Sequence, residues 1–83
     1  MRINDFEEIS SLEPNEIKAI LKTVAPEVIV KAYMGTSPEN ATWLKKVIDN
    51  IDFEAEKAEI GRIAIKELED AQKEIVNAIN EVS

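Results

Sequence analysis

The first residues whose types and spacing could do chemistry are five carboxylates close together in the chain: Asp49, Asp52, Glu54, Glu56 and Glu59. A calcium loop that started at Asp52 would place Glu54 and Glu56 correctly as further ligands. Such a loop needs glycine at its sixth position and a bidentate glutamate at its twelfth. Those positions hold Lys57 and Ile63. The pattern therefore fails as a calcium site, and a solvated helix face with carboxylates near its N-terminus is favoured.

Paired carboxylates could also act as a general acid and base, but the predicted helix is exposed and 83 residues leave little room for a deep cleft. The chain has no histidine and no cysteine, which excludes zinc fingers, the common nucleophilic triads, disulfides and histidine-ligated haem. Gly35 and Gly61 are the only glycines, so there is no glycine-rich phosphate loop. The sequence predicts a non-catalytic binding or assembly module without metal or cofactor.

Seventeen acidic residues against ten basic ones give a net charge of −7 and a pI near 4.5. This charge argues against nucleic acid and against an anionic membrane surface as partners. The longest apolar stretch, from Val28 to Met34, is interrupted by Lys31 and is too short to insert in a bilayer. The charged N-terminus lacks a signal-peptide core, and the absence of cysteine fits a cytoplasmic location. With 45% hydrophobic residues, the expectation is one small domain over residues 1–83.

Prolines at positions 14, 26 and 38 predict three successive helix starts, because proline suits the first helical turn. The helix from Pro14 carries an apolar stripe that continues to Val24. The helix from Pro26 is expected to end at Gly35 in a left-handed conformation. Its β-branched run at Val28–Val30 could instead form a strand, although the Glu27–Lys31 spacing favours a helix.

The second half of the chain has equally clear start signals. Ser37 and Asp52 have the side chains of N-caps, and Gly61 is expected to end the helix that runs from Phe53 to Ile60. From about residue 65 the apolar positions alternate in steps of three and four along Ile65, Leu68, Gln72, Ile75, Ile79 and Val82. This stripe is either the spine of the core or a coiled-coil seam, with Gln72 a mild cost in both. The fold class is all-α, a compact five- to six-helix bundle of short, armadillo-like helical hairpins with a long C-terminal helix.

Trp43 is the lone tryptophan and lies to one side of the apolar stripe that contains Leu44 and Ile48. A half-exposed tryptophan is often part of a protein interface, and burial under the next helix is the alternative. Tyr33 and Met34 could join Trp43 in one patch, since the turn at Gly35 brings these helix ends together.

The order of the residues resembles the C-terminal domain of the flagellar rotor switch protein FliG. The start Phe6-Glu7-Glu8-Ile9 and the segment Ala32-Tyr33-Met34-Gly35 look like the family's Phe-Glu-Asp-Leu and Ala-Leu-Lys-Gly. Ala71-Gln72 followed by Ile75-Val76 matches its most specific piece. The resemblance covers about residues 6 to 80.

The resemblance implies a cytoplasmic six-helix domain without a cofactor that meets the membrane-embedded stator through charged residues on one helix. That helix corresponds to the region between Asn50 and Gly61. The family's basic Ser-Lys-Arg-Ala start is replaced here by Asp52-Phe53-Glu54-Ala55, and the proline expected at Arg62 is absent.

Two functions are expected from these observations. In the first, the domain contacts a stator or rotor protein through the charged helix and nearby residues: Glu54, Glu56, Lys57, Glu59, Arg62 and Trp43. In the second, a stand-alone FliG-like module binds another protein or self-associates as a homo-oligomer in a non-flagellar setting.

Overall fold

The computed structural model describes residues 3–82, which form six helices and no strand. A 3₁₀ helix comes first and five α-helices follow it: Phe6–Ser11, α1 Pro14–Leu21, α2 Pro26–Met34, α3 Pro38–Val47, α4 Phe53–Ile60 and α5 Ile65–Glu81. The all-α prediction and the long C-terminal helix are confirmed. The β-branched run of Val28–Val30 lies within α2, so the strand alternative is wrong.

The helix starts follow the local signals in the sequence. Pro14, Pro26 and Pro38 are each the first residue of a helix. The Ser37 hydroxyl accepts a hydrogen bond from the backbone N–H of Asn40 at 3.3 Å. Asp52 caps α4 in the same way, with its carboxylate 3.1 Å from the backbone nitrogen of Ala55. Each cap satisfies an N–H that has no partner inside its own helix.

The long helix α5 forms the spine of the core. It packs mainly against α2, with further contacts to α1 and to the 3₁₀ helix. Ala71, Ile75 and Ile79 are its buried positions, whereas Ile65 and Val82 at the two ends of the predicted stripe are 75% and 66% exposed. The middle of the apolar stripe of α5 is therefore covered by other helices of the same chain, as expected of a core spine.

Gln72 holds α5 to α2 instead of weakening the stripe. Its side-chain nitrogen Nε2 donates a hydrogen bond to the backbone carbonyl of Ala32 at 3.1 Å. A polar group that finds a partner loses little by partial burial. This hydrogen bond offsets the expected cost of a polar residue at a stripe position.

The two glycines differ in their backbone conformation. Gly35 has φ −113°, so the expected left-handed stop at the end of α2 is wrong. Glycine is needed there because a Cβ would overlap the side chain of Leu68 on α5. Gly61 has φ +71° at the end of α4, where a Cβ would meet no neighbouring atom. Its role is conformational, as predicted.

Asn40 is a buried polar residue that the sequence analysis missed. Its side chain is 1% exposed, and its Nδ2 donates to the backbone carbonyl of Phe6 at 3.2 Å. A second bond beside it joins the same elements, from the Thr36 hydroxyl to the Glu7 carboxylate at 2.6 Å. The start of α3 is thus tied to the 3₁₀ helix. The signal was available, since Asn40 lies one turn before Leu44 and two turns before Ile48 on the buried face.

Candidate functional site

Helix α4 packs on the domain through few side chains, and most of its surface is exposed to solvent. Phe53 is buried and Ile60 is half-buried, while the six residues between them are exposed. The Phe53 ring packs against the Tyr33 ring with their centroids 4.7 Å apart. The predicted charged helix is therefore an outer helix of the fold, held mainly by its first turn.

Glu54 makes contacts within the domain. The Tyr33 hydroxyl donates a hydrogen bond to the Glu54 carboxylate at 2.5 Å, and the Lys45 ammonium lies 3.3 Å from the same oxygen. The Lys45 nitrogen also lies 5.7 Å from the centroid of the Tyr33 ring. Glu54 consequently connects α4 to both α2 and α3.

The pKa values of this trio reflect its contacts. The hydrogen bond from Tyr33, followed by the one from Lys45, lowers the pKa of Glu54 below its ordinary value. Burial raises the pKa of the Tyr33 hydroxyl, and the bond to Glu54 raises it further. The pKa of Lys45 is raised by its contacts with Tyr33 and Glu54. At neutral pH the three groups are therefore a carboxylate, a neutral phenol and an ammonium.

The remaining charged residues of the predicted site are exposed to solvent. Glu56, Lys57, Glu59 and Arg62 make no side-chain hydrogen bond or ion pair with any residue between 3 and 82. Glu56 and Glu59 are three residues apart and so share one side of α4. Arg62 follows directly after Gly61, where the chain leaves the helix. These four side chains are available to a partner.

Trp43 is separate from the charged helix. It is half-buried on α3 and lines a shallow depression with Pro14, Lys18 and Lys46. Two residues along a helix correspond to a rotation of about 200°, so Trp43 and Lys45 face opposite sides of α3. Since Lys45 faces α4, Trp43 lies on the side away from it.

The expected patch of Trp43 with Tyr33 does not form. Tyr33 is only 7% exposed because its ring packs against Phe53 and its hydroxyl binds Glu54. A side chain committed to these contacts has little surface left for a partner. Trp43 thus belongs to a surface of its own.

Within residues 3–82 no three acidic side chains converge closely enough to hold a metal ion. In the same part of the chain, no helix combines the length and the apolar character that crossing a bilayer requires.

Five short helices packed with the long helix α5 around one core, with a charged outer helix, place the chain among the small all-α domains. The family model described as the FliG C-terminal domain matches residues 1–83, the whole chain. The chain therefore belongs to the FliG C-terminal domain family, and the resemblance found in the sequence is confirmed. Searches of the curated proteins and of the solved structures gave no match.

Proposed function

We propose that this chain is a non-catalytic, cytoplasmic protein-interaction domain of the flagellar motor, which contacts a stator or rotor protein through α4. One observation carries the proposal: Glu56, Lys57 and Glu59 on α4, and Arg62 just after it, are exposed and make no side-chain hydrogen bond or ion pair with any residue between 3 and 82. The first turn of the helix is held in place by the packing of Phe53 on Tyr33. Membership of the FliG C-terminal domain family supports the motor setting.

The mechanism is charge complementarity without a chemical step. Glu56 and Glu59 offer two carboxylates on one side of α4, which fits a partner with clustered Lys or Arg side chains. Lys57 and Arg62 can meet an acidic group of the same partner. Because all four groups are exposed, the contact is expected to be weak, fast to form and sensitive to salt.

Glu54 has a positioning role in this proposal. Its bonds to Tyr33 and Lys45 hold the first turn of α4 against α2 and α3. The partner then meets a helix whose orientation is already set, which lowers the entropy cost of binding.

The test is a pair of charge reversals in the gene of a swimming strain. We expect Glu56→Lys together with Glu59→Lys to reduce swimming speed and motor torque, because both partner-facing carboxylates become cations. The matched control is Glu69→Lys with Glu74→Lys, which makes the same change in charge at exposed positions of α5. Normal torque in the α4 variant, with the protein folded and present at normal levels, would contradict the proposal.

A second candidate function is a stand-alone module that binds a non-flagellar protein or a second copy of itself. It is favoured by the altered charge of α4, which retains only Lys57 and the nearby Arg62 of the basic character that the family shows in this region. Sedimentation of the purified chain over a range of concentrations tests self-association. Genomic context separates the two functions, since an organism without flagella excludes the motor role.

A further inference from the structure

A small apolar cleft lies between α1 and the segment that follows α3. We name it the α1–α3 cleft and define it by Lys18, Lys22, Ile29, Ile48 and Ile51. Ile29 and Ile48 are buried and form part of its floor, while Ile51 is half-buried. The cavity measures about 140 Å³. A cavity of about 150 Å³ with apolar walls can hold a benzene ring, so this one has room for a single apolar side chain.

The rim of the cleft is basic in a chain that is otherwise acidic. Lys18 and Lys22 stand at the α1–α3 cleft, and Lys18 also borders the depression that contains Trp43 and Lys46. No carboxylate lines either hollow, although the chain has seventeen acidic residues and ten basic ones. The two hollows share Lys18, so three lysines border the pair of them.

One acidic residue forms an ion pair with Lys18, the lysine that both hollows share. The Asp49 carboxylate lies 3.6 Å from the Lys18 ammonium, and the two side chains are 72% and 40% exposed. An exposed ion pair of this kind contributes little stability. A carboxylate from a partner can therefore replace Asp49 at small cost.

We propose that the α1–α3 cleft binds an acidic protein segment that inserts one apolar side chain. The apolar side chain fills the cavity, and its acidic neighbours in sequence meet Lys18, Lys22 and Lys46. Trp43 packs against the bound segment beside Lys46, where an amphipathic ring covers the edge of the contact. This surface is separate from the charged face of α4, so it goes beyond the proposed motor contact and would stand if that contact failed.

The test uses a short acetylated peptide of Asp and Glu residues with one central Leu. It is titrated at low salt into the isotope-labelled protein while the backbone amide shifts and the fluorescence of Trp43 are followed. We expect saturable shifts centred on the cleft, together with a change in the fluorescence of Trp43. Matched peptides with Ser in place of Leu, or with Lys in place of the acidic residues, should bind at least about tenfold more weakly.

Protein variants locate the contact. Lys18→Glu with Lys22→Glu should weaken binding by about tenfold or more, whereas Lys66→Glu with Lys73→Glu makes the same charge change on α5 and should leave it unaltered. Because Lys22 is the C-cap residue of α1, where a carboxylate next to the helix C-terminus is unfavourable, Lys22→Gln provides a milder variant if the double reversal unfolds the protein.

Three results would overturn the proposal. The first is the absence of saturable shifts at the cleft with the leucine peptide. The second is equal binding of the serine peptide, which would show that the cavity is not used. The third is movement of the same amides on raising the protein concentration without peptide, which would make a second copy the occupant.

Discussion

Gly35 lies where α2 meets α5, and the space beside it is filled by the side chain of Leu68. Its backbone conformation is one that any residue can adopt, so only the close approach of the two helices requires glycine. Gly61 presents the reverse case, with open space around it and φ +71°. At the scale of single residues, Gly35 is required by packing and Gly61 by its backbone conformation.

This difference gives a paired prediction. Gly35→Ala should lower the free energy of unfolding by about 1–3 kcal/mol, because the new methyl group displaces Leu68. In a protein that already carries Leu68→Ala, Gly35→Ala should lower the free energy of unfolding by at most half as much as it does in the parent. Gly61→Ala should cost about 1–3 kcal/mol through backbone strain.

Urea unfolding of the parent and of five variants, the three single changes and the two combinations with Leu68→Ala, measures these differences. Because Gly61 has no neighbour within contact distance, Leu68→Ala should leave the cost of Gly61→Ala unchanged. Equal rescue of both glycine variants by Leu68→Ala would contradict the assignment of two separate causes.

At the scale of elements, α4 depends on few contacts. Phe53 is its only buried residue, and Glu54 adds the bonds to Tyr33 and Lys45. An element with little buried apolar area opens more readily than the rest of a fold. The position of α4 is therefore set by its first turn, while its last turn ends at a glycine with open space around it.

We predict that Tyr33→Phe loosens α4 specifically. The change keeps the ring against Phe53 but removes the hydroxyl that donates to Glu54, which should cost about 0.5–1.5 kcal/mol. Hydrogen exchange should accelerate in the amides of α4 more than in those of α5. In a Glu54→Gln background the effect of Tyr33→Phe should be smaller, and full additivity of the two changes would show that they do not interact.

How far the sequence could predict the elements depends on the range of the contacts. The starts at Pro38 and Asp52 were predictable because a cap acts within its own first turn. The bond from Tyr33 to Glu54 was not, since it spans 21 positions and depends on how α4 packs on α2. Glu54 was predicted as a partner contact because it lies on the helix that the resemblance marks as charged. Its position in the sequence does not show that its carboxylate also binds Tyr33 and Lys45.

At the scale of the whole molecule, stability is expected to fall in acid. Partial burial alone would raise the pKa of Glu7, but hydrogen bonds from Thr36 and Ser37 outweigh it and lower that pKa. The pKa of Glu54 is lowered by Tyr33 and Lys45. Below the ordinary value of 4.5, the unfolded chain therefore binds protons that the folded chain resists.

Urea unfolding as a function of pH tests this expectation. The contribution of both carboxylates should be complete above about pH 4.5 and should be lost as the pH falls through the lower folded pKa values. Glu7→Gln with Glu54→Gln should reduce the loss of stability at acidic pH. Glu74→Gln, at an exposed position of α5, serves as the control. The same loss of stability at acidic pH in the double variant as in the parent would contradict the prediction. Tyr33 acts at the other extreme, since its raised pKa makes stability fall as the pH rises beyond 10.

The two ends of the described chain are joined by a reciprocal pair of hydrogen bonds. The backbone N–H of Ile3 donates to the Asn80 side-chain oxygen at 2.9 Å, and the Asn80 amide donates back to the Ile3 carbonyl at 2.9 Å. A pulling force applied across these ends would load these two bonds together with the packing of Ile3, which is 4% exposed and belongs to the core. In a domain held through both ends, we expect Asn80 to carry part of the mechanical load.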